Sequence, residues 1–322
     1  MRHVDSDQFV WSMKYRPRSI KDCILPKETK RLFENILKEG EFQSLLLSGP
    51  PGVGKTVSAV ALCRDLNLDY MMINASEENG IDVLRSKIKQ FASTVSIGDE
   101  SKHKVVILDE CEFLNIQSTQ PALRHFMEAF SKNCRFILTA NFKNRILVPL
   151  QSRCTNIDFN AADFKSPEIL KQMMDRIQFI LNNEGIEYEK SVLAEIVFKW
   201  APDFRRTINE LQKYCTQSAT GKIDSGILVQ ASMDVDVRAL VKVLKEKDFR
   251  AMRQWLVDHA DIDTNVVYQK LYDYSRDFVK PETIPHLILI LAEYQYRDAF
   301  VVNHEINNAA CFTEIMMKVH FL

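Results

Sequence analysis

Residues Gly49-Pro50-Pro51-Gly52-Val53-Gly54-Lys55-Thr56 gather three of the nine glycines into one short loop ending Gly-Lys-Thr. The apolar run Ser44-Leu45-Leu46-Leu47 before it reads as a buried strand. The stretch Thr56 to Leu66, with Val57, Val60 and Ala61 on one face, reads as a helix. Strand, glycine loop and helix in that order constrain the fold to an α/β type. Glycines let the loop turn backbone N–H groups inward, and the helix adds its positive N-terminal end, so the loop suits phosphate. Lys55 is expected to reach terminal phosphates and Thr56 to offer its hydroxyl to Mg²⁺. The alternative is a glycine-rich turn with a solvent-facing lysine. The flanking strand and helix argue against it.

A chain of 322 residues predicts two or three domains. Its hydrophobic content of 46% and charged content of 26% are ordinary for a globular protein. No run approaches the ~18 apolar residues of a membrane span. The opening residues Met1 to Asp7 are polar and carry no signal-peptide core. The seven cysteines (Cys23, Cys63, Cys111, Cys134, Cys154, Cys215, Cys311) are scattered and form no C-x-x-C pair. Reduced thiols are expected, with neither zinc nor disulfides. A net charge of −1 argues against a generally basic surface, but leaves room for a local basic face.

From about Leu45 to Asp158, short apolar runs alternate with helical patterns, which predicts a parallel sheet of β-α-β units. Strands are expected at Leu45–Leu47, Tyr70–Asn74, Val105–Leu108, Phe136–Thr139 and Asn156–Phe159. Residues Leu84, Ile88 and Phe91 mark one intervening helix face, and Ala122, Leu123, Phe126, Met127 and Phe130 another. Beyond Phe159 the strand pattern stops. Ser166 to Gln217 reads as three helices, with Ser166-Pro167-Glu168 as a start and Asn182-Asn183-Glu184-Gly185 as a stop. From about Asp234 the chain is helical and rich in aromatics: Trp255, Tyr268, Tyr272, Tyr274, Phe278, Tyr294, Tyr296 and Phe300. At helical spacing these suit a core or subunit contacts better than a base-stacking surface.

Val105-Val106-Ile107-Leu108-Asp109-Glu110 is an apolar strand ending in two acids. Beside a phosphate loop, Asp109 would hold Mg²⁺ and Glu110 would polarise the attacking water. Ile137-Leu138-Thr139-Ala140-Asn141 ends in an amide that either orients the same water or caps the Lys143–Leu147 segment; spacing does not choose. Arg153, in Ser152-Arg153-Cys154, precedes the last strand and is therefore far from its own loop. On spacing it reads as a surface arginine, although its place suits contact with a neighbouring subunit's phosphates.

Together these elements resemble the AAA+ sliding-clamp loaders of DNA replication. Lys14-Tyr15-Arg16-Pro17, Asn74-Ala75-Ser76, Gly80-Ile81-Asp82-Val83-Leu84-Arg85 and Pro149-Leu150-Gln151-Ser152-Arg153-Cys154 are similar to phrases of replication factor C small subunits. Cys23-Ile24-Leu25-Pro26 and the Ala201–Ile208 block resemble the clamp-loader large subunit of T-even-type bacteriophages. The resemblance implies an AAA+ P-loop ATP-binding domain over 1–160, a helical lid over 161–231 and an all-α collar over 232–322. It implies that Ser12, Met13, Lys14, Tyr15 and Ile24 pack around adenine. Gly52, Val53, Gly54, Lys55, Thr56 and Val57 would take the phosphates, with Thr56 and Asp109 on Mg²⁺. Arg205 becomes the lid's sensor arginine, Asn141 the first sensor, and Arg153 an arginine finger acting on a neighbour's nucleotide. With Glu110 and Lys55, Asn141 and Arg153 complete the expected catalytic set.

Two departures from the family pattern stand out. The acidic box reads Asp109-Glu110-Cys111-Glu112 where relatives usually carry Asp or Ala-Asp after the first two acids, and Asn79 stands where relatives place a basic residue that links DNA to the catalytic glutamate. The resemblance implies an ATPase in which ATP assembles a spiral that opens a sliding clamp and accepts primer–template DNA. Hydrolysis would then release the closed clamp. The implied partners are the clamp, a different loader subunit and further copies of this chain, four with one, with no membrane and a cytoplasmic location, the host's if the chain is phage-encoded. DNA would be met through phosphates by the helix starting near Ile81, with Arg85 and Lys89 four apart on it; a solvated face is the plain alternative. Phe113 and Leu114 are either clamp contacts or core. The functional alternatives are another AAA+ DNA motor, a helicase loader or an inactive structural subunit. Intact Lys55, Thr56, Asp109 and Glu110 argue against the last.

Overall fold

The structure, a computed structural model, describes residues 4–5, 8–78, 80–93, 103–218, 221–228, 237–259, 264–298, 300–301 and 303–322. The chain divides into two compact units, 1–227 and 228–322. The expected boundary at 231/232 lies outside the described residues.

The first unit is built on a five-stranded parallel sheet in the order β2-β3-β4-β1-β5: β1 (Leu45–Ser48), β2 (Tyr70–Asn74), β3 (Lys104–Asp109), β4 (Cys134–Ala140) and β5 (Thr155–Asp158). All five strands lie where the apolar runs predict, displaced at their ends by a residue or two. The three central strands are almost wholly buried, whereas β2 at one edge is mostly half-exposed. That is why their sequences read as continuous apolar runs rather than alternating ones. Because β4 inserts between β3 and β1, the carboxyl ends of these three strands are adjacent. Ligands of α/β sheets sit at such ends.

Helices cover the sheet: α2 (Lys27–Glu39), α3 (Lys55–Asp65), α4 (Ile81–Ser93), α5 (Thr119–Ala129) and the single turn α6 (Val148–Gln151). The helix α3 buries every residue from Ser58 to Cys63, as a helix apolar on all sides must. Three more helices follow as the sequence predicts: α7 (Pro167–Glu184), α8 (Lys190–Trp200) and α9 (Phe204–Gln217). Pro167 starts α7, and Gly185 in the left-handed region (φ 69°) ends it. The short N-terminal helix α1 (Trp11–Lys14) packs on α9.

The second unit consists of helices spanning Val237–Glu246, Phe249–Asp258, Thr264–Asp273, Ile284–Asp298 and His304–Lys318, with one turn at Ser275–Phe278. Its own core gathers Trp255, Tyr268, Tyr294 and Phe312. Trp255 and Tyr268 meet Phe312 edge-on, with centroids 6.2 and 6.4 Å away. The C-terminal aromatics thus divide in two, because Tyr272, Tyr274, Tyr296 and Phe300 face outward. All seven cysteines are free. Among the described residues no helix is long and apolar enough to cross a membrane.

Candidate nucleotide site

The glycine loop runs from the end of β1 to the start of α3, and two of its glycines are required by close approach. A Cβ on Gly49 would lie 2.3 Å from the Phe159 carbonyl oxygen, and one on Gly52 would lie 1.8 Å from Asp203 Oδ1. Gly52 also has a φ of +76°, a region side chains avoid. The lid touches the loop here, since the Phe204 N–H donates to the Gly52 carbonyl at 3.3 Å.

Lys55 is buried at 7% exposure. Its Nζ donates to the Gly49 and Pro50 carbonyls at 2.7 and 2.8 Å and to Asn141 Oδ1 at 2.8 Å. Burial pushes its pKa down to about 8, opposed by the nearby carboxylates of Glu112 and Asp109. The Thr56 hydroxyl donates to Asp109 Oδ1 at 2.7 Å. Thr139, inside β4, donates its hydroxyl to the same oxygen and accepts the Glu110 N–H at 3.1 Å. Glu110 itself is left-handed (φ 57°, ψ 45°), an unusual conformation for a residue with a side chain. The Asn141 N–H donates to Glu112 Oε1 at 2.9 Å. The turn Lys143–Arg145 is preceded by Phe142 and has no side-chain cap, so the capping alternative for Asn141 is corrected. Its side chain is held by Lys55 instead.

A cavity of about 370 Å³ opens beside the loop. Of the residues expected at the base and phosphates, Ser12, Met13, Tyr15, Ile24, Gly52, Val53, Gly54, Val57 and Arg205 line it. Lys14, Lys55 and Thr56 do not: the Lys14 ammonium pairs with Glu184 Oε1 of α7 at 2.7 Å, while Lys55 and Thr56 bond to Asn141 and Asp109 at the strand ends. The lining also includes Arg16, Met173, Arg176 and Phe204, none of which the residue pattern singles out. Arg16 directly follows the run Ser12 to Tyr15, and burial followed by the charge of Arg205 pushes its pKa down. Thr139 and Glu112 also bond within the site, although the residue pattern gives neither a role. A hydroxyl within an apolar strand is a signal that could have flagged Thr139.

Arg153 lies away from this cavity. It is partly exposed and bridged to Glu128 of α5, with Nε 2.9 Å from Oε1, and a further bond runs to the Pro149 carbonyl at 2.8 Å. Ile81 begins α4; Arg85 and Lys89 are exposed on it, while Leu84, Ile88 and Ala92 are buried. Asn79 lies outside the described residues. Leu114 is core at 2% exposure, and Phe113 faces out. Among the described residues no group of three His, Cys, Asp or Glu side chains could hold a metal. Beside the loop, the Thr56 hydroxyl and the Asp109 carboxylate are hard oxygen donors bonded to one another.

Residues 45–161 match the AAA family, ATPases associated with various cellular activities, and residues 166–229 match the AAA+ ATPase lid domain of the sliding-clamp-loader large subunit. The sliding-clamp-loader large subunit of Enterobacteria phage T4 is 35% identical over 322 residues, covering 99% of each chain. This chain belongs to the sliding-clamp-loader family of AAA+ ATPases. The corresponding subunit of Escherichia phage RB69 is 37% identical to this loader chain over 86% of each. A replication factor C small subunit of Methanocella arvoryzae is 37% identical over 73% of this chain and 72% of its own. The family expected from Lys14-Tyr15-Arg16-Pro17 and the Ser152-Arg153-Cys154 phrase is thereby established. Among solved structures, RuvB, the Holliday junction branch migration motor of Thermotoga maritima, superposes with a TM-score of 0.52 at 19% identity over 79% of the loader chain and 90% of its own. That likeness concerns the fold alone.

Proposed function

We propose that this ATPase binds ATP in the cavity between the glycine loop and the lid, and that its nucleotide site is completed by Arg153 of an adjacent copy. The observation that carries the reading is the meeting of Lys55, Thr56, Asp109 and Asn141 at the ends of three adjacent strands, while Arg205 on the lid helix lines the cavity on which Gly52, Val53, Gly54 and Val57 of the loop also open. Ser12, Met13, Tyr15 and Ile24 would enclose the base, and the N–H groups of Gly52 to Val57 would meet the phosphates. Thr56 and Asp109, already joined through their oxygens, suit a hard divalent ion. Mg²⁺ bound there would offset phosphate charge. Glu110 would take the proton of the attacking water, and Asn141 would orient that water.

Arg153 suits action in trans because it is partly exposed, paired with Glu128, and does not line its own cavity. An arginine finger contributes ~10³–10⁵ in rate, so assembly gates turnover. By likeness to the relatives, the chain would act as four copies with one different subunit, hold a sliding clamp, and accept primer–template DNA. Its DNA contacts would be phosphate contacts through Arg85, Lys89 and the start of α4 at Ile81. The domains would be an ATP-binding domain to 160, a lid to 231 and a collar beyond.

The test is ATP turnover by the isolated chain, then with its partner subunit, clamp and primed DNA. Slow turnover alone, raised by the full set and lost on Arg153→Ala, is expected. Turnover indifferent to clamp and primed DNA would overturn the proposal.

A further inference from the structure

We infer that Glu112 is a positioning residue of the ATPase centre, which holds Asn141 so that its side-chain amide faces Lys55. The inference rests on the reading of Asn141 as a sensor of the terminal phosphate.

The parallel ladder between β1 and β4 ends at the pair Ser48 and Ala140. The pairing of β3 with β4 ends still earlier, at Leu108 and Leu138. Asn141 is therefore the first residue past the sheet, and no strand receives its N–H. Glu112 receives it instead, through Oε1 at 2.9 Å. That bond fixes the Asn141 peptide plane, from which the side chain reaches Lys55 Nζ at 2.8 Å. Without it, the residue at the strand end would be free to rotate. The lysine of the glycine loop would then lose the side chain that accepts its hydrogen bond.

The fold spends stability to keep this carboxylate. Glu112 is only 6% exposed, and its Oε2 is buried with no hydrogen-bond partner among the described residues. No cation lies within ion-pair distance of it there. A buried carboxylate satisfied on one oxygen only is destabilising, and an apolar side chain of similar volume is often neutral or better. Packing alone does not call for a glutamate at this place. The turn that carries it, Cys111–Phe113, directly follows Glu110, whose N–H is held by Thr139 of β4. Two bonds thus lace the end of β3 to the end of β4, and they align the water-activating acid and the sensor amide as one rigid piece. An enzyme centre held in this way tolerates little displacement.

The experiment compares E112Q, E112L, E112M, N141A and the double variant E112L/N141A in the full chain, assembled with its partner subunit. It reads kcat, KM, affinity for a fluorescent ATP analogue, and Tm. In E112Q the amide oxygen still accepts the Asn141 N–H, so kcat stays close to wild type. In E112L and E112M kcat falls by up to about 10²-fold, while nucleotide affinity holds and Tm does not drop. Adding E112L to N141A costs nothing further, because Glu112 acts through Asn141. Unchanged kcat in both E112L and E112M, a loss in E112Q as deep as in E112L, equal losses of affinity and rate, or additive losses in the double variant would each overturn the inference. Full turnover in N141A removes the sensor reading together with this inference. An impaired N141A beside an unimpaired E112L removes this inference alone.

Discussion

Lys55 is a cation held largely away from water by the loop it serves. Its three acceptors are two backbone carbonyls and an amide, with no carboxylate within ion-pair distance among the described residues. This is why burial outweighs the more distant acids and pushes its pKa down to about 8. A polyphosphate meeting the ammonium favours its charged form and raises that pKa on binding. Affinity for ATP is then full below about pH 8 and falls as pH rises through the free-state value. Binding above pH 8 takes up a proton. Titration calorimetry in two buffers of different ionisation enthalpy would read the uptake directly; no buffer dependence would refute it. At this scale the sequence shows chemistry well where a motif carries it locally, as in Gly49 to Thr56. It shows little where the partners are distant in the chain. Thr139 and Glu112 bond to groups some thirty residues away, and only the register of β3 against β4 reveals that they meet. Lys14 fails for the opposite reason, because a linear phrase carried it into the cavity while the turn of α1 aims it at Glu184.

The N-terminal segment reaches the cavity as a strap fastened to the lid. Gln212 of α9 accepts the Trp11 N–H at 2.8 Å and donates to the Phe9 carbonyl at 2.9 Å. On α7, Glu184 receives Lys14 and the Tyr15 hydroxyl, and Arg176 donates to the Tyr15 carbonyl. On the sheet side, Asp65 at the end of α3 accepts the Ile20 N–H at 2.8 Å. The wall of the cavity formed by Ser12, Met13 and Tyr15 is thereby tied to the lid helices. Gln212→Leu removes two hydrogen bonds of this strap and should cost about 1–3 kcal/mol of stability. Weaker ATP binding and faster amide exchange over residues 9–15, with protection of β1, β3 and β4 unchanged, are expected. Uniformly faster exchange across the unit would contradict a local strap. The ties to the lid are not legible in the sequence, because each joins Phe9–Tyr15 to side chains some 160 to 200 residues on. The strands themselves are, since a buried parallel strand announces itself as an unbroken apolar run.

Each of the two compact units closes its own core, one around the sheet and one around Trp255, Tyr268 and Phe312. A chain ending at residue 228 should therefore melt cooperatively and bind ATP like the full protein. It should also fail to assemble. Leu289, Tyr296, Phe300, Ile306 and Met317 of the second unit stand 67–73% exposed, an apolar surface suited to other subunits. Sedimentation of the shortened chain with its partner subunit would decide the matter; assembly at full mass would show that these residues are dispensable. Assembly also gives meaning to the bridge between Arg153 and Glu128. An exposed, solvent-screened pair is a resting place rather than a lock. The guanidinium is held by Glu128 and the Pro149 carbonyl, yet it would be released at little cost when a more densely charged oxygen cluster approaches. Exchanging one carboxylate for another would gain it almost nothing, whereas exchanging a carboxylate for a triphosphate would gain it a great deal. If Arg153 acts on a neighbour's nucleotide as proposed, a subunit poised in this way would tell a charged neighbour from an empty one before any bond is cleaved.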